Sequence, residues 1–176
     1  MIREISIQFV RFILLVLGQV FIVNNLKLHT YFNPFIYFLF VLLLPVSTPP
    51  VITLLCGFFQ GFVMDMFMET GGMHTMATTL IAFIRIYYLR YTLSKEQMDK
   101  GIEPVIANTG STWFLIYSTC MVFIHHFVLF FAESFGFSEI LTTLQSILVS
   151  GLVSLLLLVL LHMLFFRVNS KEVAGG

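Results

Sequence analysis

Two stretches in the C-terminal half of the chain, residues 112–132 and 140–166, each contain more than 20 consecutive residues without a charged side chain. A helix crosses the roughly 30 Å hydrocarbon core of a bilayer in about 20 residues. The composition agrees, since 59% of the 176 residues are hydrophobic and only 10% are charged, against about 25% charged in soluble domains. The chain is therefore predicted to be an all-α integral membrane protein.

Further apolar segments complete a predicted compact bundle of six transmembrane helices, forming a single domain over residues 1–176. The predicted spans are about 6–25, 32–48, 50–68, 73–91, 112–132 and 140–166. Proline is tolerated at a helix start but not in its interior, so the sequence "PVSTPP" places a turn at 46–49 and begins the third helix at Pro49 and Pro50. One long kinked span across this turn is the alternative, and it would give five helices.

The positive charges favour six spans over five. With the N-terminus in the cytoplasm, the outer side receives only Lys27, and the cytoplasmic side receives Arg3, Arg11, Arg85, Arg90, Lys95, Lys100, Arg167 and Lys171. This distribution follows the positive-inside rule, so both termini and the loop 91–111 are predicted to be cytoplasmic. Arg11 and Arg85 lie within helices, where we expect them to extend toward the cytoplasmic headgroups.

The third predicted helix leads into the sequence "GFFQGFVMDMFMETGG", residues 57–72, which places a carboxylate in an apolar run. One helical face collects residues four apart: Thr53, Gly57, Gly61 and Asp65. Glycines on one face allow another helix to approach closely, and this face is interpreted as a packing seam within the chain or a docking seam for a partner. Gly71 and Gly72 predict a tight turn that requires positive φ.

Asp65 has three interpretations. It reaches the outer headgroups, it caps or pairs within the fold and fixes the following turn, or it lines a substrate or ion path. His74, His125 and His126 are the polar partners predicted at a similar depth. Adjacent helical histidines point about 100° apart, so at most one of the pair faces Asp65. A metal site built from these residues is considered, but an ordinary hydrogen bond of a buried histidine is favoured.

The last predicted helix carries small residues at steps of four, which favours a face packed inside the bundle with leucines toward lipid. This stripe consists of Thr142, Ser146, Ser150 and Ser154, with Gly151 beside them. Cys56 and Cys120 lie in apolar runs without a second cysteine at metal-binding spacing, and are predicted to be buried apolar residues.

The sequence carries no motif of the main intramembrane enzyme classes. It contains no serine nucleophile turn, no HExxH zinc helix and no phosphate-binding glycine loop. The basic residues are scattered, which gives no indication of nucleic-acid binding. We therefore expect a protein that is not an enzyme and that has no cofactor.

The stretch "LLLPVSTPPVITLLCGFFQGFVMDMFMETGGMHTMATTLIAFIR" resembles the central region of the MreD family, rod shape-determining membrane proteins of bacterial cell-wall elongation. That family has a pattern G-F-x-x-G-x-x-x-D, then a short loop and a glycine before the next helix. The matching positions here are Gly57, Phe58, Gly61, Asp65, Gly72, Met73, His74, Ala82 and Phe83. The loop "METGG" departs from the plainer glycine–serine loop of the family.

The resemblance implies a non-enzymatic scaffold in the bacterial inner membrane. Its implied partners are the periplasmic scaffold MreC, the RodA and penicillin-binding protein pair, and indirectly the MreB filament, together with membrane lipid. The family is also distantly similar to the substrate-binding components of energy-coupling-factor transporters. That similarity supplies the alternative function, a small-molecule-binding subunit of a vitamin-type transporter in which Asp65, His74 and His125 or His126 line an outward pocket.

Overall fold

The computed structural model describes residues 2–25, 33–134 and 140–166, and every regular element within these ranges is helical. In chain order the helices are α1 (Ile2–Leu17, continued by a π-helical turn Gly18–Ile22 and a 3₁₀ turn Val23–Asn25), α2 (Leu39–Leu43), α3 (Pro50–Met68), α4 (Met73–Thr92), α5 (Lys95–Asp99), α6 (Ile106–Thr109), α7 (Ser111–Ser134) and α8 (Ile140–Phe165). The predicted all-α class is confirmed.

Four helices are long and apolar enough to cross a membrane: Ile5–Asn25, Pro50–Met68, Ser111–Ser134 and Ile140–Phe165. They correspond to the first, third, fifth and sixth predicted spans. α4 has 20 residues, matching the fourth prediction in its bounds, but it carries Arg85 and Arg90 and is not among these four. The turn before α3 is found where the prolines placed it, with Pro49 at the N-cap and Pro50 as the first helical residue.

The predicted second span, 32–48, is wrong as a continuous helix over its described part. Residues 33–36 are not helical, α2 has only five residues, and Leu44 is extended with ψ 141°. Two prolines explain this, because a residue that precedes proline is biased toward extended backbone. Asn33 precedes Pro34 and Leu44 precedes Pro45, which leaves about ten residues for a helix.

Residues 34–44, here called the central segment, form the middle of the core. All of them are buried, and Tyr37, Phe38, Val41 and Leu42 are 0% exposed. The long helices surround this segment, with α3 packed on α4, α4 on α7 and α7 on α8, while α1 contacts α2 and α3. An apolar interior without water requires every backbone polar group to find a partner inside the protein, so the non-helical part of the central segment depends on its neighbours.

The connection between α4 and α7 contains α5 and α6 and packs against one end of the bundle. Ser94 and Gln97 form a capping box that starts α5. The backbone nitrogen of Val46 donates to the carbonyl of Ile102 at 2.9 Å, and Val105 is buried. The predicted loop 91–111 is thus an ordered cover over the end of the central segment.

Candidate functional site

Asp65 lies at the C-terminal end of α3 and caps the start of α4. Its Oδ1 accepts hydrogen bonds from the hydroxyl of Thr70 at 2.6 Å and from the backbone nitrogen of His74 at 2.9 Å. Its Oδ2 accepts from the backbone nitrogen of Thr75 at 2.9 Å and from its hydroxyl at 2.5 Å. The N-cap residue of α4 is Gly72, which has no side chain to do this. Of the three interpretations of Asp65, the geometry corresponds to the one that fixes the turn.

Backbone geometry in the turn agrees with that arrangement. Gly71 and Gly72 have φ of +57° and +101°, a region that glycine adopts at no steric cost. Glu69 also has positive φ, at 55°, where it ends α3. The carboxylate of Asp65 faces the first backbone N–H groups of α4, where the helix dipole favours negative charge.

The glycine face of α3 packs against α4. A Cβ built on Gly61 would lie 2.5 Å from the carbonyl oxygen of His74, and one on Gly57 would lie 2.7 Å from the Cβ of Ala82. Both distances are too short for real atoms, so the two backbones approach as closely as they do only because both residues are glycine. Thr53 on the same face is 0% exposed. The predicted seam is therefore occupied from within the chain.

Tyr37 of the central segment connects α4 and α7 through its hydroxyl. Its Oη lies 3.0 Å from Nδ1 of His74, 3.0 Å from Oγ1 of Thr78 and 2.7 Å from Nε2 of His125. A hydroxyl has one proton and two lone pairs, so these contacts use its whole hydrogen-bonding capacity. The sequence analysis paired the histidines with Asp65 and missed Tyr37, which is the residue that joins two of them.

The small-residue stripe of α8 binds the extended start of the central segment. Ser150 Oγ accepts from the backbone nitrogen of Asn33 at 3.1 Å, and Ser154 Oγ accepts from that of Phe35 at 2.8 Å. Ser154 also lies 3.0 Å from Nε2 of His126. Four residues of a helix rise about 6.0 Å, and two residues of extended backbone span about 6.6 Å. Hydroxyls four residues apart on α8 can therefore accept from N–H groups two residues apart on the extended backbone.

His126 is hydrogen-bonded through both of its ring nitrogens. Its Nδ1 lies 2.8 Å from the carbonyl oxygen of Val122 and donates to it, so Nε2 accepts a hydrogen bond from the Ser154 hydroxyl. Elsewhere in the stripe, Ser146 and Gly151 are buried and Thr142 is half-buried. A Cβ on Gly151 would meet the Phe123 ring at 2.9 Å. The stripe faces the bundle, and Leu152 and Leu156 face outward.

Two glutamines that the sequence analysis missed also bond the backbone of the central segment. The side chain of Gln19 accepts from the backbone nitrogen of Ile36 at 2.7 Å and donates to the carbonyl of Pro34 at 3.0 Å. Gln60 donates to the carbonyl of Tyr37 at 2.5 Å. Both glutamines are 0% exposed. Burying a side-chain amide among apolar residues costs free energy unless the amide is hydrogen-bonded. A glutamine within a long apolar run was therefore the sequence signal that could have indicated these contacts.

Arg85 turns into the core and does not extend to the headgroups, so that expectation is wrong for Arg85, whereas the Arg11 side chain is 15% exposed. Arg85 is 2% exposed and donates to the carbonyls of Leu42 and Leu44. Arg11 donates to the carbonyl of Leu43 at 3.4 Å. These carbonyls belong to the C-terminal end of α2, which has no intrahelical donors for them and carries partial negative charge. The guanidinium groups of Arg11 on α1 and Arg85 on α4 therefore both cap the C-terminal end of α2.

The space around the histidines is filled. His74, His125 and His126 are 0–1% exposed. The Phe35 ring lies 5.1 Å from His74 and 5.6 Å from His126, and Phe38 stacks on His125 at 4.4 Å, measured between ring centroids. Within the described ranges no group of three or more His, Cys, Asp or Glu side chains is placed to hold a metal ion.

A small polar cavity lies instead between the end of α7 and the start of α8. Its volume is about 190 Å³, and its lining consists of Asn33, Phe130, Glu133, Ser134, Thr142, Thr143 and Ser146. Pockets for small organic ligands occupy roughly 300–1,000 Å³. This cavity includes two residues of the predicted stripe and neither Asp65 nor the histidines.

The two cysteines differ from their prediction. Both are free, but Cys56 is only partly buried and Cys120 is exposed. Cys120 lies on the outward face of α7, where an apolar thiol contacts the surroundings of the bundle and not its core.

The chain was compared with protein-family models, with curated proteins and with solved structures. None of the three comparisons finds a match. What can be said of function therefore depends on the residues and their geometry.

Proposed function

We propose that the protein is a non-enzymatic scaffold of the bacterial cell-wall elongation machinery, similar to the MreD family, in the inner membrane. In this role it binds an MreC-like periplasmic scaffold and helps organise RodA and a penicillin-binding protein, with an indirect link to MreB filaments. The observation that carries the proposal is the stretch from Gly57 to His74. It has the glycine, aspartate and glycine pattern of that family.

The contacts of this stretch support a structural role for the pattern. Gly57 and Gly61 bring α3 against α4, and Asp65 caps α4. The pattern thus builds a closely packed helical hairpin. A scaffold needs a stable shape more than an open cavity, and the filled core around Tyr37 and Phe38 suits that need.

The proposed topology has six crossings and both termini in the cytoplasm. The central segment serves as the second crossing although it is not a continuous helix. Its start adjoins Asn33, which lines the cavity between α7 and α8, and just past its end Val46 contacts the connection that follows α4. Irregular backbone at membrane depth is tolerated where protein surrounds it, as it does here.

The proposal requires a docking surface other than the glycine face. That face is covered by α4, so a partner helix has to use an outward face. α3 presents Phe58 and Phe62 outward, and α8 presents Leu152 and Leu156. The transporter alternative has less support, because the histidines and Asp65 that it would use are engaged in internal contacts.

Affinity purification of the intact protein from bacterial membranes, in a mild detergent and followed by identification of bound proteins, tests the proposal. We expect an MreC-like protein or other wall-synthesis proteins. Recovery of energy-coupling ATPases would favour the transporter alternative, and recovery of neither group would overturn the scaffold proposal.

Cysteine crosslinking locates the surface, after Cys56 and Cys120 are replaced by alanine. Single cysteines at Phe62 and Leu152 face outward and are expected to crosslink to the partner if their helix is the docking site. A cysteine at Ala77, which is 0% exposed, is the matched inward control. Partner crosslinks from Ala77 at the same yield would contradict a docked, folded scaffold.

A further inference from the structure

A cleft of about 620 Å³ opens between α1 and the C-terminal end of α8. Its walls are almost entirely apolar. α1 contributes Ile7, Val10 and Leu14, which recur on one helical face, and the floor is formed by Leu39 and Leu43 of α2. Val10 and Leu14 are 54% and 52% exposed, so the cleft is open toward the surroundings of the bundle and not sealed inside it.

A pair of opposite charges lies about midway along the α1 wall of the cleft, at Arg11. Arg11 Nη2 lies 3.3 Å from Glu103 Oε2, and the side chains are 15% and 28% exposed. The Arg11 guanidinium also lies 5.0 Å from the centroid of the Phe166 ring. Both charges line the cleft. The cleft thus combines apolar walls with an electrically neutral pair of opposite charges next to the connection between α4 and α7.

The dimensions of the cleft select the type of occupant. The α1 residues that line it run from Ser6 to Leu15, a length of about 14 Å at 1.5 Å per residue. This equals the thickness of about half of a 30 Å hydrocarbon core. An acyl chain is much thinner than a helix, which is about 10 Å wide, and it can lie along this apolar wall.

We propose that this cleft binds an acyl chain of a zwitterionic phospholipid, with the headgroup at the Arg11–Glu103 pair. A headgroup that carries a phosphate and an ammonium complements both charges, with phosphate oxygens toward Arg11 and the ammonium toward Glu103. An anionic headgroup without an ammonium also offers its phosphate to Arg11, but it has no positive group for Glu103 and is repelled by that carboxylate. The lipid would lie over α2, whose C-terminal carbonyl at Leu43 is already bound by Arg11.

A second cleft provides an internal control. It has a volume of about 520 Å³ and lies on the other side of α1, toward α3, where Phe9, Ile52 and Leu55 are among its lining residues. No charged residue is among its described lining residues. A lipid held there would be retained by apolar contact alone, without selection for its headgroup.

The test reconstitutes the intact protein in bilayer nanodiscs with equal amounts of phosphatidylethanolamine and phosphatidylglycerol, and measures retained lipid by native mass spectrometry. We expect the wild type to retain at least one phosphatidylethanolamine, at a several-fold excess over phosphatidylglycerol. Leu14→Trp and Val10→Phe fill the cleft and should abolish that retention. Leu55→Trp, at a residue 45% exposed in the second cleft, should leave it unchanged.

Glu103→Gln tests the headgroup directly, because it removes the negative charge and leaves Arg11 without a carboxylate partner. We expect the lipid preference of Glu103→Gln to reverse toward phosphatidylglycerol. Its unfolding temperature should equal that of the Leu55→Trp control within experimental error. Equal retention of the two lipids by the wild type, loss in Leu55→Trp equal to that in Leu14→Trp, or an unchanged preference in Glu103→Gln would overturn the proposal. Recovery of a bound protein helix in the cleft in place of lipid would also overturn it.

Discussion

Thr75 donates two hydrogen bonds to Asp65 Oδ2, one from its backbone nitrogen at 2.9 Å and one from its hydroxyl at 2.5 Å. A carboxylate ten residues upstream, on another helix, therefore performs the task that a side chain at Gly72 would perform in an ordinary N-cap. This couples the end of α3 to the start of α4. Neither helix can tilt or shift without breaking bonds to Asp65.

Asp65→Ala is expected to destabilise the protein by about 2 kcal/mol or more, because a lost cap alone costs about 0.5–2 kcal/mol and Asp65 accepts four hydrogen bonds. Asp65→Asn keeps one oxygen acceptor and should fall between Asp65→Ala and the wild type. Unfolding in detergent, followed by Trp113 fluorescence, measures the difference. Glu69→Gln, at an exposed position nearby, is the control, and an equal effect there would refute the cap.

Gly61→Ala should be more damaging than Gly57→Ala. The new Cβ at Gly61 meets the backbone of His74 and Thr75, which cannot move aside, whereas at Gly57 its nearest neighbour is the Cβ of Ala82. Overpacking of this kind typically costs about 1–3 kcal/mol.

A double-mutant cycle sharpens this comparison. Ala82→Gly removes the atom that Gly57→Ala would meet, so it should partly rescue Gly57→Ala and leave Gly61→Ala unimproved. Gly18→Ala, where a Cβ has no neighbour within 4 Å, is the neutral control. Equal rescue of both glycine variants in thermal unfolding would show that the close approach of α3 and α4 does not decide stability.

The hairpin of α3 and α4 was largely predictable, because its determinants are local. Prolines start α3, glycines at steps of four mark its contact face, and Gly71 and Gly72 mark the turn. The sequence does not reveal that Asp65 bonds to the backbone of α4, since side-chain periodicity carries no information about backbone donors.

The central segment was not predictable from hydropathy, because an apolar run has the same composition whether it is helical or extended. The partners that make the extended form tolerable are distant in sequence: Gln19 lies 17 residues from Ile36, and Ser154 lies 119 residues from Phe35. The same distance explains the error at Arg85. An arginine that extends to the headgroups and an arginine that caps a buried helix 41 residues away have the same local sequence pattern.

Arg85→Lys should destabilise the protein although it preserves the charge. The planar guanidinium reaches two carbonyls, those of Leu42 and Leu44, and a compact ammonium cannot reproduce that fork. A buried carbonyl left without a donor costs about 1–3 kcal/mol. Arg90→Lys, on the same helix but exposed, is expected to be neutral. Similar unfolding curves for the two lysine variants would contradict the capping role of Arg85.

Ser154→Ala tests whether the hydroxyls of α8 hold the central segment in its extended form. The Ser154 hydroxyl accepts from Phe35 and lies within hydrogen-bonding distance of Nε2 of His126, so its removal leaves two buried polar groups without a partner, at about 1–3 kcal/mol each. Phe35 is 4% exposed, and water cannot replace the lost oxygen without opening the core. We therefore expect a lower unfolding temperature together with faster hydrogen exchange at the Phe35 amide.

Ser146→Ala is the matched control for that experiment, because Ser146 lies two turns earlier on the same stripe, is also buried, and lines the small polar cavity instead of bonding the central segment. Its replacement should change neither the unfolding temperature nor amide exchange at Phe35. If Ser146→Ala accelerates exchange at Phe35 as much as Ser154→Ala does, the effect arises from general loosening of α8. The hydrogen bonds from the extended backbone to the α8 hydroxyls would then not be what holds that backbone in place.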